Sequence, residues 1–265
     1  FCWMRFKLFI VKVLALLVLC QYSSKAYSMD TTNVDSINVY FFPGQGSDYR
    51  IFSAFELPDY CRKHFFELPM PNEGEMMKEY AARFIPLIDT TLPFVLIGTS
   101  LGGMISSELT AKLKPLKTIV IASAKTYHEL PAQYRFQRTI PINRLPPPKF
   151  FKIGGLIAQP IFEPDRREAK DMFISMLKAK NPVYLKRTVN IIINWDRSEA
   201  VPGVYHIHGD NDHTLPIKNI TCDVVIENGS HMMTHLRHKE ICEIIRVQIE
   251  EALKNSEKAN KRLAE

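Results

Sequence analysis

Cysteine is scarce in this chain of 265 residues, which contains five. Cys2 and Cys20 lie near the N-terminus, and only Cys61, Cys222 and Cys242 follow them. Three cysteines at irregular spacing are too few for a disulfide framework, so a small fold held together by disulfide bonds is excluded. A hydrophobic content of 46% and a charged content of 23% are instead typical of a globular domain with a full core.

An excess of positive charge is also missing beyond the N-terminus. The formal net charge is +6, but Arg5, Lys7, Lys12 and Lys25 supply four of those charges and no acidic residue lies among them. Without these four charges, residues 27–265 have a net charge of 6 − 4 = +2. This is too small an excess of positive charge to indicate nucleic-acid binding. We therefore expect no nucleic-acid partner.

The longest apolar run lies at the N-terminus, at residues 8–20. A lysine interrupts it, and it is shorter than the ~20 residues that a membrane-spanning helix needs. Basic residues before it and small residues after it predict a signal peptide over residues 1–26, cut after Ala26, and hence export to a periplasm or out of the cell. We expect no membrane span after the cut. A lipid anchor on Cys20 is less favoured, because Leu19 is larger than the residue that usually precedes such a cysteine.

Apolar runs alternate with segments of helical periodicity along the rest of the chain. Residues 37–42, 94–98 and 117–124 predict strands buried on both faces, and 203–209 and 222–229 predict two more. The alternation predicts an α/β fold with a mostly parallel central sheet and helices on both faces. The helical patterns between and after these runs cover residues 77–88, 104–113 and 237–253.

Residues 125–196 have a different composition. Consecutive prolines at 146–148 preclude a central strand or the middle of a helix there, while 167–180 and 182–195 have helical patterns. A long insertion between two core strands is typical of a cap over a substrate site, so we predict a helical cap. The predicted division is a signal peptide (1–26), a core (27–124 and 197–255), a cap (125–196) and a C-terminal tail (256–265).

The sharpest motif is Gly98-Thr99-Ser100-Leu101-Gly102, which matches G-x-S-x-G. It directly follows a predicted strand and precedes a predicted helix, the context of a nucleophile elbow. The glycines suit a tight turn that strains the serine backbone and brings neighbouring chain close. Ser100 is therefore the candidate nucleophile; a serine that only caps a helix is the alternative.

A nucleophilic serine needs a base, and the base needs an orienting acid. In the order Ser, Asp, His, the acid follows a late strand and the histidine follows the last one. Asp212 and His231 occupy such positions. Asp210 is an alternative acid, and His235 and His238 are alternative bases, although both of these approach or enter the last predicted helix.

An oxyanion hole needs backbone N–H groups aimed at the developing negative charge. The N–H of Leu101, directly after the nucleophile, is one candidate. The loop PGQGSDYR after the first strand supplies the other, for which we favour the N–H of Gln45. The alternative is that the glycines of this loop only form a turn.

The stretch VYHIHGDNDHTLP also permits a metal site. His206, His208 and Asp210 fit the first five positions of the H-x-H-x-D-H run of metallo-β-lactamase-like enzymes, but position 211 is asparagine. The two histidines point to the same side of a predicted strand. Packing and hydrogen bonding near the end of the sheet is therefore the alternative role for them.

At this point the chain resembles the α/β-hydrolase superfamily across nearly all of its length after the signal peptide. PGQGSDYRIF is similar to the PGLGADxRxF loop of small bacterial hydrolases, and GTSLGGM, HGDNDHTLPI and NGSHMM are similar to their elbow, acid and histidine motifs. The resemblance implies Ser100, Asp212 and His231 as a triad, but no particular substrate. Pro43 stands where many members have histidine, so any role of that histidine is absent.

A second resemblance is to malonyl-carrier acyltransferases, through FPGQGS and SLGG. Thr99 and Gly103 replace the histidine and glutamate of their elbow, and the later acid and histidine motifs are of hydrolase type. We therefore expect a serine hydrolase that cleaves a carboxylic ester or thioester of a small molecule without a cofactor or metal. The alternatives are acyl transfer, metallohydrolase chemistry and a binding protein without turnover. Three arginines of the predicted cap are candidates for contacts to an acidic group, with exposure at the surface as the more common alternative: Arg135, Arg138 and Arg144.

Overall fold

The computed structural model describes residues 36–140, 146–150, 152–154 and 170–264. The predicted signal peptide lies outside these residues, and so does Arg144. None of the helices within the described ranges is long and apolar enough to cross a membrane.

A six-stranded sheet forms the centre of the fold, in the order β2-β1-β3-β4-β5-β6, and every pairing in it is parallel. The prediction of a mostly parallel sheet is confirmed. All six residues of β1 and of β3 are buried, as expected for strands covered on both faces. The strands are β1 (Ile37–Phe42), β2 (Cys61–Phe65), β3 (Phe94–Thr99), β4 (Lys117–Ile121), β5 (Val204–Gly209) and β6 (Val224–Ile226).

Helices cover both faces of this sheet. The buried cluster that α1 and α2 form with β1 and β3 includes Met77, Leu96 and Met104. The fully buried Ile241 and Ile245 of α7 lie outside that cluster, and α7 contacts β4. The helices are α1 (Met77–Ala82), α2 (Leu101–Thr110), α3 (Ala132–Thr139), α4 (Lys170–Ala179), α5 (Pro182–Ile193), α6 (Met233–Leu236) and α7 (His238–Ala264).

Strand β2 is an element that the sequence pattern did not predict. It lies at the edge of the sheet and pairs only with β1. Cys61 is its one buried residue, and the next four side chains are exposed. Charged residues such as Arg62 and Lys63 discourage pairing with another chain, so an edge strand of this kind carries no apolar run to detect.

Two helices begin or end away from their predicted positions. α1 ends at Ala82 and a 3₁₀ turn follows, because Pro86 has no N–H to donate to the Ala82 carbonyl and its ring would clash with that carbonyl. α2 begins at Leu101, three residues before the predicted start at Met104, because the helix starts directly after the turn at Ser100.

The strand order places several loops together at one edge of the sheet. β2 and β3 lie on opposite sides of β1, so the direction of the connections reverses between β1 and β3. Ligands of open parallel sheets bind beyond the carboxyl ends of the strands at such a switch point. The loop containing Gln45 follows β1 and Ser100 follows β3, so both lie at this point.

The described part of residues 125–196 contains α3, α4 and α5, which fits the predicted helical cap. α4 and α5 follow the predicted helical patterns closely, apart from residues 167–169, which lie outside the described ranges. The last helix, α7, continues to Ala264 through the segment assigned to a C-terminal tail. The division of the chain into core and cap remains a prediction.

Candidate active site

Ser100 lies in a strained turn between β3 and α2. Its backbone has φ 50° and ψ −120°, a conformation that is costly for a residue other than glycine. The turn is tight: a Cβ on Gly98 would lie 2.2 Å from the Gly102 carbonyl oxygen, and a Cβ on Gly102 would lie 2.0 Å from the Phe42 carbonyl oxygen. Both positions therefore require glycine for a steric reason, and the turn presents the Ser100 hydroxyl at the end of the sheet.

A chain of hydrogen bonds joins Ser100, His231 and Asp212. Ser100 Oγ lies 3.0 Å from His231 Nε2, and His231 Nδ1 lies 2.8 Å from Asp212 Oδ2. Because a carboxylate only accepts, the Nδ1–H of His231 donates to Asp212, which leaves Nε2 to accept the hydroxyl proton of Ser100. Ser100 is partly exposed, whereas Asp212 is 2% exposed. The structure brings together the three residues that the sequence singled out.

The loop that carries Asp212 is held by further hydrogen bonds. Asp212 Oδ1 accepts from the Leu215 N–H at 2.7 Å, and the Leu215 carbonyl oxygen accepts from His208 Nε2 at 2.8 Å. His208 Nε2 is also 3.5 Å from Asp212 Oδ2. The Asn211 N–H donates to the carbonyl oxygen of Gly229, two residues before His231. These contacts fix the acid relative to the base.

His206 and His208 bind each other rather than converging on an empty centre. His208 Nδ1 lies 3.2 Å from His206 Nε2, and both residues are fully buried. Burial lowers the pKa of His208, against the opposing effect of Asp212, and holds the pKa of His206 well below its usual value. Asp210 is exposed, and no group of three candidate metal ligands occurs within the described ranges. The geometry therefore favours packing and hydrogen bonding for the pair.

The alternative acid and bases have contacts other than Ser100. Asp210 is exposed at the end of β5, and its N–H donates to the Ile226 carbonyl oxygen. His235 packs edge-on against Phe173, and His238 donates from Nδ1 to the His235 carbonyl oxygen. Neither histidine has a hydrogen bond to Ser100.

The two candidate oxyanion N–H groups belong to segments that meet beside Ser100. A Cβ on Gly44 would lie 3.2 Å from the Ser100 Cβ, which shows how closely the loop after β1 approaches the elbow. Neither the Leu101 N–H nor the Gln45 N–H donates to an acceptor among the residues that the structure describes. Both are therefore available to a substrate oxygen. The Gln45 side chain donates from Nε2 to the Leu185 carbonyl oxygen and to Thr188 Oγ1, which anchors the loop to α5.

The aspartate and arginine of the PGQGSDYR loop have a structural role. Asp48 caps the 3₁₀ turn by accepting from the Arg50 N–H, and its Oδ2 accepts from Arg50 Nη2 at 2.7 Å. Burial alone would raise the pKa of Asp48, but the hydrogen bonds and charge of Arg50 lower it. Arg50 Nη1 also donates to Ser175 of α4. Arg50, held by Asp48, therefore joins the loop after β1 to α4.

A cavity of about 60 Å³ lies over Ser100. Its walls come from the loop after β1, the elbow, the segment that contains His231, and α4. A larger hollow of about 700 Å³ lies at the amino ends of β3 and β4 and includes none of the candidate residues. The lining residues of the smaller cavity are Gly44, Gln45, Gly46, Ser47, Ile51, Thr99, Ser100, Phe173, Leu177, His231 and Met232.

Several residues that support the site were missed in the sequence. Ser123 Oγ donates to the Ser100 carbonyl oxygen at 2.7 Å, and Thr99 Oγ1 lies 2.7 Å from Thr234 Oγ1, which joins the elbow to α6. Phe173 and Leu177 line the cavity from α4. A helical apolar pattern looks the same whether it faces a core or a cavity, so no local signal identifies these two.

No family model matches the chain, and no curated protein matches it in sequence. Among solved structures, it is similar to a thermophilic esterase from Thermogutta terrifontis, with a TM-score of 0.63 and 16% identity over 82% of this chain and 90% of that one. An esterase from Exiguobacterium antarcticum gives a TM-score of 0.64 and 15% identity over 82% and 92%. MenH from S. aureus gives 0.64 and 13% over 84% and 96%. Identities this low establish the fold alone.

Proposed function

We propose that this chain, which has the α/β-hydrolase fold, is a serine hydrolase that cleaves a carboxylic ester or thioester through an acyl-enzyme. The observation that carries the proposal is the hydrogen-bonded chain from Ser100 through His231 to the buried Asp212. The backbone N–H groups of Gln45 and Leu101, which have no acceptor among the described residues, support the same proposal. The esterases among the matched structures support an ester as substrate.

Each residue has a distinct role in this mechanism. Ser100 Oγ attacks the substrate carbonyl while His231 Nε2 takes the hydroxyl proton, and Asp212 orients the imidazole and stabilises its cationic form. The N–H groups of Leu101 and Gln45 hold the oxyanion. His231 then gives the proton to the leaving alcohol or thiol. Water, activated by the same histidine, attacks the acyl-enzyme and releases the acid.

Covalent labelling tests this assignment. A fluorophosphonate should label wild-type protein at Ser100 and should not label Ser100→Ala or His231→Ala at a comparable rate, because a serine hydroxyl without its base is a poor nucleophile. Asp212→Asn should lower turnover by about 10⁴-fold, since the histidine then takes the wrong tautomer. The matched control is Asp210→Asn, which should change turnover far less. Equal losses in the two asparagine variants would leave Asp212 without its assigned role.

Experiments on the same protein distinguish the alternative reactions. Chelator should leave the turnover unchanged, whereas activity that disappears with chelator, returns with zinc and survives in Ser100→Ala would move the site to His206 and His208. Product analysis in the presence of added alcohols and thiols distinguishes hydrolysis, with free acid as product, from acyl transfer. A fluorophosphonate-labelled Ser100 with no turnover of any acyl ester, thioester or amide would favour a binding protein.

A further inference from the structure

Two residues of the cap, Phe173 and Leu177, close the cavity over Ser100. Both lie on α4, and because they are four residues apart they lie on the same side of that helix. Each is at most 9% exposed. A Cβ on Gly46 would lie 3.1 Å from Leu177 Cδ1, so the end of the Leu177 side chain packs against the loop after β1. On this side, α4 therefore limits the size of the space beside the nucleophile.

The volume of that space limits the acyl group. The cavity measures about 60 Å³, which is less than half the volume of a cavity of about 150 Å³ that binds benzene. In the acyl-enzyme the acyl group stays attached to Ser100 Oγ with its carbonyl oxygen at the Gln45 and Leu101 N–H groups, so it must fit beside the loop after β1. The alcohol or thiol, by contrast, has already left when the acyl-enzyme forms, so the cavity limits it less.

The lining also limits the charge of the acyl group. Among the described residues, no carboxylate, ammonium or guanidinium side chain lines the cavity. Arg138 of the cap instead donates to the Trp195 carbonyl oxygen and lies over the Tyr127 ring. An ionised acyl group would therefore lose its hydration without gaining a partner.

From the volume and the lining together, we propose that the site accepts short, uncharged aliphatic acyl groups of about two to four carbon atoms, and that Leu177 sets the upper limit of chain length. This inference rests on the proposed serine hydrolase function. Longer chains would have to displace Leu177 from Gly46, which the close packing of α4 opposes.

A series of p-nitrophenyl esters tests the inference on the full chain. For the wild type, kcat/KM should be highest for acetate to butyrate and lower by about 10-fold or more for octanoate. The hemisuccinate, which is close to butyrate in length but charged, should react about 10-fold more slowly than butyrate. Wild-type preference for octanoate, or equal rates for hemisuccinate and butyrate, would overturn the inference.

Two variants of the same helix identify the residue that sets the limit. Leu177→Ala should raise the ratio of octanoate to butyrate kcat/KM by about 10-fold, because it opens the wall at Gly46. Met176→Ala is the control: Met176 is fully buried on α4 but does not line the cavity, so the ratio should stay unchanged. An equal rise in both variants would mean that a loosened helix, not the wall, causes the change. If Leu177→Ala does not fold, Leu177→Val should give a smaller rise in the same direction.

Fluorophosphonate labelling keeps the two proposals apart. If Ser100 is labelled in the wild type and the ester series contradicts the expected preference, only the acyl-length inference fails. If Ser100 is not labelled, the serine hydrolase proposal fails and the chain-length inference fails with it.

Discussion

Single residues in this site carry backbone strain and buried hydrogen bonds that depend on their neighbours. Ser100 holds a positive φ because hydrogen bonds on both sides of the turn restrain it: its N–H donates to the Ile121 carbonyl oxygen, and its own carbonyl oxygen accepts from Ser123. Ala122 is also at positive φ, directly before Ser123. Local strain at Ser100 is thus supported by a second strained residue at the end of β4.

His208 acts on the site through the loop of Asp212, so we expect it to position the acid. Its Nε2–H donates to the carbonyl oxygen of Leu215, and the backbone N–H of Leu215 donates to Asp212 Oδ1. His208→Leu removes that donor and should lower kcat by about 10- to 100-fold through misplacement of the acid, while KM changes little. Steady-state kinetics on a good ester substrate measures both constants.

The amide variant is the control for His208. In His208→Gln, the side-chain amide nitrogen reaches about as far as Nε2 of histidine and can still donate to Leu215, so most of the wild-type kcat should return. A structural role alone would lower the free energy of unfolding in both variants without this recovery of kcat. Wild-type kcat in His208→Leu would contradict the assignment.

At the scale of elements, one buried ion pair ties the cap to the core. Glu108 of α2 is 3% exposed and accepts from Trp195 Nε1 and from Arg197 Nε and Nη2, at 2.7 to 2.8 Å. Trp195 and Arg197 follow α5, where the chain returns from the cap toward β5. The N–H of Tyr127, on the chain leaving β4, donates to the Arg197 carbonyl oxygen. Both connections of the cap therefore meet at the helix that follows the nucleophile.

Removing the charge of Glu108 should destabilise the protein. Glu108→Gln keeps the size of the side chain but leaves the Arg197 guanidinium, which is 15% exposed, without its counter-charge, so the free energy of unfolding in urea should fall by about 2 to 3 kcal/mol. Asp196→Asn is the matched control, because Asp196 pairs with Lys78 at the surface and both side chains are at least 43% exposed. That variant should change the free energy of unfolding by less than about 1 kcal/mol. A similar decrease in the free energy of unfolding for both variants would contradict a stabilising role of the Glu108–Arg197 ion pair.

At the scale of the whole molecule, the signal-peptide prediction concerns where the protein acts. We expect protein purified from its native host to begin near Tyr27, because the signal peptidase cuts after the small residues that end at Ala26. N-terminal sequencing measures this, and Leu16→Arg, which breaks the apolar run, should leave the precursor uncut. Protein that still carries the apolar run of residues 8–20 contradicts export by this route, whereas a fatty acid attached to an N-terminal Cys20 would show a lipid anchor.

The elements that the sequence predicted correctly are those with local causes. β1, β3 and β4 lie in the continuous apolar runs of the sequence, and both glycines of the elbow are required by backbone contacts within and next to the motif. The hydrogen bonds among Ser100, Asp212 and His231 were expected from the order of motifs along parallel strands. β2 escaped because an exposed edge strand has no apolar run, and α1 was predicted too long because its periodicity continues past Pro86.

The amino-acid sequence by itself determined the parallel α/β architecture and the residues that meet at the carboxyl end of the sheet, since strand burial, turn glycines and the order of motifs are written locally. Only the tertiary structure decided the size and polarity of the cavity and the hydrogen bonds of His208. Leu177 and Gly46 are far apart in the chain, and nothing near either residue indicates that they touch. Such contacts depend on how the cap packs on the core, which is a property of the folded chain as a whole.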